Sequence, residues 1–266
     1  MPKDKSWFRF ENKTADEATL YLYDEIGAWG VTAKDFTTEL SDVTATTINL
    51  RINSPGGDVF DGFTIHNLLK EHPAQVKVKV DGLAASIASI IAMSGDQIEM
   101  AKNAFLMIHN AWAISKGNAE AMRKMADTLD KIDMQLVRAY QDKTGATQRD
   151  IRQMMAEETW LNADEAVANG FADSVCDPSQ VKARFDLSRF NHVPQAVAAM
   201  NTMATPEPPT EREIEQSLRD AGVSKKAALA AVAAIKGETR RDSGEEIIAA
   251  LAKAASETRL ITAFKR

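Results

Sequence analysis

The sequence predicts an α/β fold around a parallel sheet, because strand-like and helix-like segments alternate along the chain. Residues 18–27, 47–52 and 76–80 alternate polar and apolar side chains, as half-buried strands do. Residues 59–69 follow a Gly-Gly turn and carry apolar side chains at helical spacing. Repeated strand–turn–helix units are typical of sheets whose strands run parallel.

Further elements follow the same logic. Residues 32–40 read as a capped helix, and residues 84–93 form an apolar run of small residues that predicts a buried helix after a turn at residues 81–82. The longest predicted helix covers residues 119–143 and ends at Gly145.

Two more helix starts are predicted towards the end of this region. Thr147 begins one helix, which runs to about Met155, and Asn162 begins another, which Gly170 ends. Glu158 lies in the connection between them, where a loop can aim a carboxylate.

Composition limits the functions that the chain can have. It has 266 residues, 44% of them hydrophobic, and a net charge of −6, which gives no reason to expect nucleic-acid binding. Its single cysteine, Cys176, excludes an internal disulfide and fits a reducing compartment. The sequence contains no metal-ligand cluster, phosphate loop, signal peptide or membrane span. We therefore expect a cytoplasmic protein without a metal, a cofactor or an ATPase of its own.

Four residues can supply the groups that acyl transfer needs: a nucleophile, a base, a group that orients the base and an amide donor for the oxyanion. Ser86 is the candidate nucleophile and His109 the candidate base. Glu158 can orient the base, and Gly57 can supply the amide donor. The amide of Ile87 can serve the same oxyanion.

Each of these residues also has a plain structural interpretation. The Gly-Gly turn can be an ordinary βα turn, and Ser86 can be a small packing or capping residue. A histidine at a strand end is more often a core residue than a catalyst, but His109 is the best placed of the four histidines.

Four motifs in order resemble the Clp protease proteolytic subunit family (peptidase family S14): INSPGG, GLAAS, MIHN and ETWLNADEAVANGFAD. The resemblance covers roughly residues 15–178 and is nearest to the phage-type head maturation proteases. It implies a ClpP/crotonase-like fold of repeated β-β-α units with a handle helix at residues 119–143, plus a small α-helical C-terminal appendage.

The resemblance also implies a site. Ser86 is the nucleophile, His109 is the base, and the amides of Gly57 and Ile87 form the oxyanion hole. Glu158 stands where the ATP-dependent members usually carry Asp. A substrate peptide is expected to bind in extended form beside Gly56 and Gly57.

Three regions are predicted along the chain. Residues 1–178 form the ClpP-like serine protease domain, residues 179–209 form a linker whose part at 196–209 is rich in Ala, Thr and Pro, and residues 210–266 form an Ala-rich helical tail. The tail has good helix propensity but few large apolar residues, which predicts an appendage or a partner-binding tail.

The sequence thus predicts a serine endopeptidase that assembles with copies of itself into a ring. By resemblance, its substrates are phage capsid or scaffold proteins, processed in the host cytoplasm or the prohead. The first rival interpretation is an ATP-dependent Clp proteolytic subunit that degrades cellular proteins with a partner ATPase. A crotonase-like acyl-CoA enzyme and a non-catalytic shell protein are the second and the third.

Overall fold

The computed structural model of the chain describes residues 8–12, 16–28, 30–179 and 185–202. These residues contain eight strands: β1 Phe8–Asn12, β2 Glu17–Leu22, β3 Thr47–Ser54, β4 Gln75–Ala85, β5 Gln97–Ala101, β6 Phe105–Ile108, β7 Thr159–Asn162 and β8 Ser174–Cys176. They also contain seven helices: α1 Ala33–Ser41, α2 Val59–Glu71, α3 Ile87–Ala92, α4 Ala119–Thr144, α5 Gln148–Ala156, α6 Ala163–Ala168 and α7 Gln195–Thr202.

The strands form one mixed sheet in the order β1-β2-β3-β4-β5-β8. From β2 to β8 the neighbours are parallel, while β1 lies antiparallel on the edge. The inward-facing side chains of β3, Ile48, Leu50 and Ile52, are fully buried. The predicted α/β class with a ClpP-like parallel sheet is confirmed.

Strand β4 divides between two neighbours, and this division builds the site. Residues 77–80 pair with β5, whereas residues 83–85 pair in parallel with β6. Strand β7 then pairs antiparallel with the other side of β6. The end of β4 therefore pairs with β3 on one side and with β6 on the other, and β6 in turn pairs with β7.

The turn predicted at residues 81–82 is wrong, because β4 continues through it. The carboxylate of Asp81 is fully buried and pairs with the guanidinium of Arg51 and the hydroxyl of Tyr23. Gly82 leaves room for Asn53, whose side-chain oxygen would lie 2.7 Å from a Cβ at Gly82. Asp81 and Gly82 usually break a strand. Here the carboxylate of Asp81 is paired and the space beside Gly82 is filled by Asn53, so the strand continues.

Most predicted helices are present with small changes of boundary. Thr32 caps α1 by accepting a hydrogen bond from the Asp35 N–H, and Asn162 and Glu165 form a capping box at α6. Helix α4 ends at Gly145, which is left-handed with φ 69°. The strand predicted at residues 18–27 already ends at Leu22.

Residues 185–202 differ from the predicted linker at 179–209. Leu187, Phe190 and Val197 are buried and pack with Leu83 and Met107 in a second apolar cluster. This part of the chain therefore lies against the sheet, because its apolar side chains have a surface to cover. By its backbone contacts, the chain divides into two compact units, Met1–Met203 and Ala204–Arg266. The predicted tail at residues 210–266 lies outside the described residues.

Candidate active site

Ser86 occupies the sharp junction between β4 and α3. Its backbone has φ 56° and ψ −131°, which is rare for a residue other than glycine. The Ser86 N–H donates to the Met107 carbonyl at 2.9 Å, and its carbonyl accepts from the Ser89 hydroxyl at 2.5 Å. A strained serine between a strand and a helix is the geometry of a nucleophile elbow. Helix α3 begins one residue later, so Ser86 precedes the helix in whose first turn the sequence places it.

His109 lies beside Ser86 because of sheet register. Ala85 pairs with Met107, so the chain just after β4 runs next to the end of β6. His109 follows that end, and its Nε2 atom lies 2.8 Å from the Ser86 Oγ atom. The structure thus brings together the predicted nucleophile and base at hydrogen-bonding distance.

The surroundings of His109 favour the neutral imidazole. Burial lowers the pKa of His109, the negative charge of Glu158 opposes that shift, and the positive charge of Arg189 adds to it. The ring of Phe190 meets the imidazole edge to face, with centroids 5.6 Å apart. A neutral imidazole at neutral pH can accept the proton of the Ser86 hydroxyl.

The Gly-Gly turn after β3 packs directly on the elbow. Gly56 has φ 85°, and a Cβ there would lie 2.6 Å from the Ala85 carbonyl oxygen and 2.7 Å from the Ser86 Cβ. Gly57 and Ile87 line the same cleft as Ser86 and His109. In the described part of the chain, neither the Gly57 nor the Ile87 N–H has a hydrogen-bond acceptor. Both amides are therefore available to an oxyanion.

Glu158 lies just before β7 with a left-handed backbone, φ 50°. Antiparallel pairing of Ile108 with Thr159 makes His109 and Glu158 the next pair outward. Their side chains are nevertheless not hydrogen-bonded to each other. Within the described residues, the His109 ring makes one hydrogen bond, to Ser86, and none to Glu158.

Four donors hold the carboxylate of Glu158, a buried residue that is 6% exposed. They are the Asn191 N–H at 2.9 Å, the Asn191 side-chain amide at 3.2 Å, the His192 N–H at 2.7 Å and the Trp160 indole N–H at 3.3 Å. Burial raises the pKa of Glu158, but these donors outweigh burial and keep the pKa below its ordinary value. Its neighbour Glu157 is exposed and accepts from Gln153.

A cleft of about 620 Å³ opens above Ser86. One wall is apolar and comes from α4, through Met125, Leu129 and Ile132. Phe60, 67% exposed, and Trp112, 55% exposed, also line it. The shape and lining suit an extended chain with apolar side chains.

Sequence reasoning missed two supports of the site. The first is Ser89, whose hydroxyl bonds both the Ser86 carbonyl and the buried hydroxyl of Tyr140. The second is the segment around Phe190 and Asn191, which sequence reasoning assigns to a linker. The apolar residues Phe185, Leu187, Phe190 and Val193 are the signal that could have revealed it.

Two further kinds of feature are missing from the described part of the chain. In these ranges no helix is both long and apolar enough to cross a membrane. Over the same residues, no group of three or more His, Cys, Asp or Glu side chains is placed to hold a metal ion.

Comparisons with known proteins show which family this chain resembles. A sequence model of the Clp protease family matches residues 2–179. The ATP-dependent Clp protease proteolytic subunit of Streptococcus suis is 34% identical over 139 residues, which cover 51% of this chain and 71% of that protein. The proteolytic subunit 2 of a Synechococcus species is 31% identical over 138 residues, which cover 51% and 70%.

A solved structure of a ClpP1 mutant from Listeria monocytogenes aligns with a TM-score of 0.54 and 23% identity. The alignment covers 61% of this chain and 92% of that chain, which supports the fold. Because the family match spans more than half of the sequence, the chain belongs to the Clp protease family of serine peptidases.

Proposed function

We propose that this chain is a serine endopeptidase in which Ser86 is the nucleophile and His109 the general base. The observation that carries the proposal is the 2.8 Å approach of the His109 Nε2 atom to the Ser86 Oγ atom at a strained strand–helix junction. A hydroxyl is a weak nucleophile until a base takes its proton, and this arrangement supplies the base.

In the proposed reaction the Ser86 hydroxyl proton passes to His109 Nε2 while Oγ attacks the carbonyl carbon of the scissile bond. The Gly57 and Ile87 N–H groups stabilise the resulting oxyanion. The C–N bond then breaks, and His109 returns the proton to the leaving amine. Water repeats the same steps on the acyl-enzyme, which releases the acid product and restores Ser86.

We assign Glu158 as the third member of the triad. Strand pairing makes it the backbone neighbour of His109, and its charge already raises the pKa of the imidazole. In the working state its carboxylate would accept from His109 Nδ1, fix the tautomer and stabilise the imidazolium.

The substrate is proposed to be an extended peptide that lies beside the Gly56–Gly57 turn. Gly57 lines the cleft, and so do the apolar side chains of α4. Main-chain hydrogen bonds would hold such a peptide with little dependence on sequence, and the wall would favour apolar side chains.

Self-assembly into a ring is proposed from the unburied part of α4. Over its 26 residues only Leu136, Val137 and Tyr140 are buried, while Met122 is 39% exposed. Apolar surface of this kind on a long helix favours contact with another copy. Light scattering after size-exclusion chromatography tests this, and a monomer at micromolar concentration would contradict it.

The biological substrates are proposed to be capsid or scaffold proteins of a phage, from the resemblance of the motifs to head maturation proteases. The relatives named above are ATP-dependent subunits, which favours an ATPase partner as the rival proposal. Purified protein incubated with a capsid or scaffold precursor, without nucleotide, separates the two. Cleavage only with a Clp ATPase and ATP would support the ATPase partner.

A fluorophosphonate probe tests the core of the proposal. We expect labelling of Ser86, located by mass spectrometry of the digested protein, and no labelling of Ser86→Ala or of denatured protein. A crotonase-like enzyme or a shell protein would give no labelled serine.

A further inference from the structure

Residues 185–193, here called the latch segment, lie directly on the candidate triad. The family model matches residues 2–179, so the latch segment follows the region that the model matches. Leu187 and Phe190 anchor it in the apolar cluster beneath the site. Its position is thus fixed by burial on one side and by polar contacts with the site on the other.

The polar contacts occupy both oxygens of the Glu158 carboxylate. Two backbone N–H groups and one side-chain amide of the latch segment, together with the Trp160 indole, donate to its two oxygens. A carboxylate has about four acceptor positions, so this one has none left for His109.

Phe190 adds an aromatic contact to the base. Its ring centroid lies 5.6 Å from that of the His109 imidazole and 5.7 Å from that of the Trp160 indole. The neighbouring Arg189 forms an ion pair with Glu25, and both of these residues line the cleft above Ser86. The latch segment therefore contacts the base, the carboxylate and the substrate cleft at once.

The geometry points to a self-restrained state. We propose that the latch segment holds Glu158 away from His109, and that release of this segment lets Glu158 turn to His109 Nδ1 and complete the triad. The proposal rests on the proposed Ser–His–Glu mechanism. The left-handed backbone of Glu158, φ 50°, is a conformation that tertiary contacts must maintain, and the hydrogen bonds from the latch segment to its carboxylate are among those contacts.

The opposite role makes the opposite prediction. If the latch segment positions the site for catalysis, weakening it must slow hydrolysis. If it restrains the site, weakening it raises the fraction of molecules with a complete triad, and the rate rises with that fraction.

Asn191→Asp is the sharpest variant, because it keeps the side-chain volume and replaces the amide that donates to Glu158 with a second carboxylate. Asn118→Asp is the matched control: it makes the same charge change at a helix cap where the side chain only accepts a hydrogen bond. We expect Asn191→Asp to raise kcat/KM for a small peptide ester by about tenfold or more over both the wild type and the control.

The gain must depend on Glu158. In a background of Glu158→Gln, Asn191→Asp is expected to change the rate less than about twofold, because no carboxylate is left to release. Equal acceleration with and without Glu158 would overturn the latch. So would a rate for Asn191→Asp at or below that of Asn118→Asp while Ser86 still reacts with a fluorophosphonate. Absence of both hydrolysis and Ser86 labelling in every variant would instead overturn the proposed function, and the latch with it.

A second variant tests the apolar contact. Phe190→Ala removes the ring that meets both His109 and Trp160 edge to face, and Leu187→Ala removes an apolar side chain from the same cluster. Acceleration by Phe190→Ala beyond Leu187→Ala supports the latch. The latch is overturned if Phe190→Ala lowers kcat/KM more than Leu187→Ala does while the two variants have the same melting temperature.

Discussion

The two halves of the candidate site are built from different parts of the chain. Ser86 and His109 stand at the ends of two adjacent strands, and sheet pairing alone brings them together. Glu158 is also placed by pairing, but its side chain is held by residues more than 30 positions later, Asn191 and His192. One half is fixed by regular structure, while the other depends on a segment that packs onto it.

This difference matters for control of activity. Strand pairing fixes the backbone positions of Ser86 and His109, and these change only if the sheet opens, which costs much of the stability of the domain. A carboxylate held by a docked segment can change partner at a much smaller cost. Regulation is therefore expected at Glu158 and not at Ser86 or His109.

The largest effect is expected from removing Ser86 or His109, the half of the site that the sheet fixes. Ser86→Ala and His109→Ala should each lower kcat/KM by roughly 10⁴ to 10⁶, because the members of a triad act as a unit. Hydrolysis of a peptide ester measures this. Ser94→Ala, a change at a buried serine whose hydroxyl donates to the Ile91 carbonyl, is the control and should stay near the wild type. More than about a tenth of the activity left in either variant contradicts the assignment.

The second prediction concerns Glu158, the half of the site that the docked segment holds. Glu158→Gln should lower kcat/KM by roughly 10²- to 10⁴-fold, since it removes the charge that stabilises the imidazolium. Glu157→Gln should change little, because that carboxylate is exposed and bonds Gln153. The reverse order of effects would place the third member one residue earlier.

The third prediction separates crowding from backbone strain. Gly56 and Gly145 both have positive φ, yet a Cβ at Gly145 would meet nothing within 4 Å. Both alanine variants should lose roughly 1 to 3 kcal/mol from the strained backbone. Only Gly56→Ala should also lower kcat by about 10²-fold, because its Cβ displaces the elbow that holds Ser86. Thermal melts and ester kinetics on both variants measure this, and equal kinetics would refute the role of the close approach.

The smallest effect concerns pH. His109 must be neutral to accept the Ser86 proton, so kcat/KM falls as pH drops through its pKa. Because burial lowers that pKa, the acid limb should lie below the ordinary histidine value of 6.5. Glu158→Gln removes a charge that raises the pKa, so the limb should move further down. A limb above pH 6.5, or an upward shift in the variant, would contradict this description of the imidazole.

Local sequence determines the nucleophile half of the site well. Alternation predicts β3 and the first part of β4, the Gly-Gly turn predicts a close approach, and His109 is expected at a strand end. These features depend on neighbours in sequence, so patterns of side chains and of glycine reveal them. The same patterns predict α4, with Gly145 as its end.

Only the tertiary structure decides the rest. Strand β4 continues through Asp81 because Arg51 and Tyr23, distant in sequence, satisfy its carboxylate. The segment at residues 185–193 resembles a linker because its few apolar side chains follow no regular period. It is ordered by an apolar surface made of Leu83 and Met107, and by the carboxylate of Glu158, neither of which it carries itself. Sequence determines the groups that a site contains, whereas long-range packing decides which of them meet.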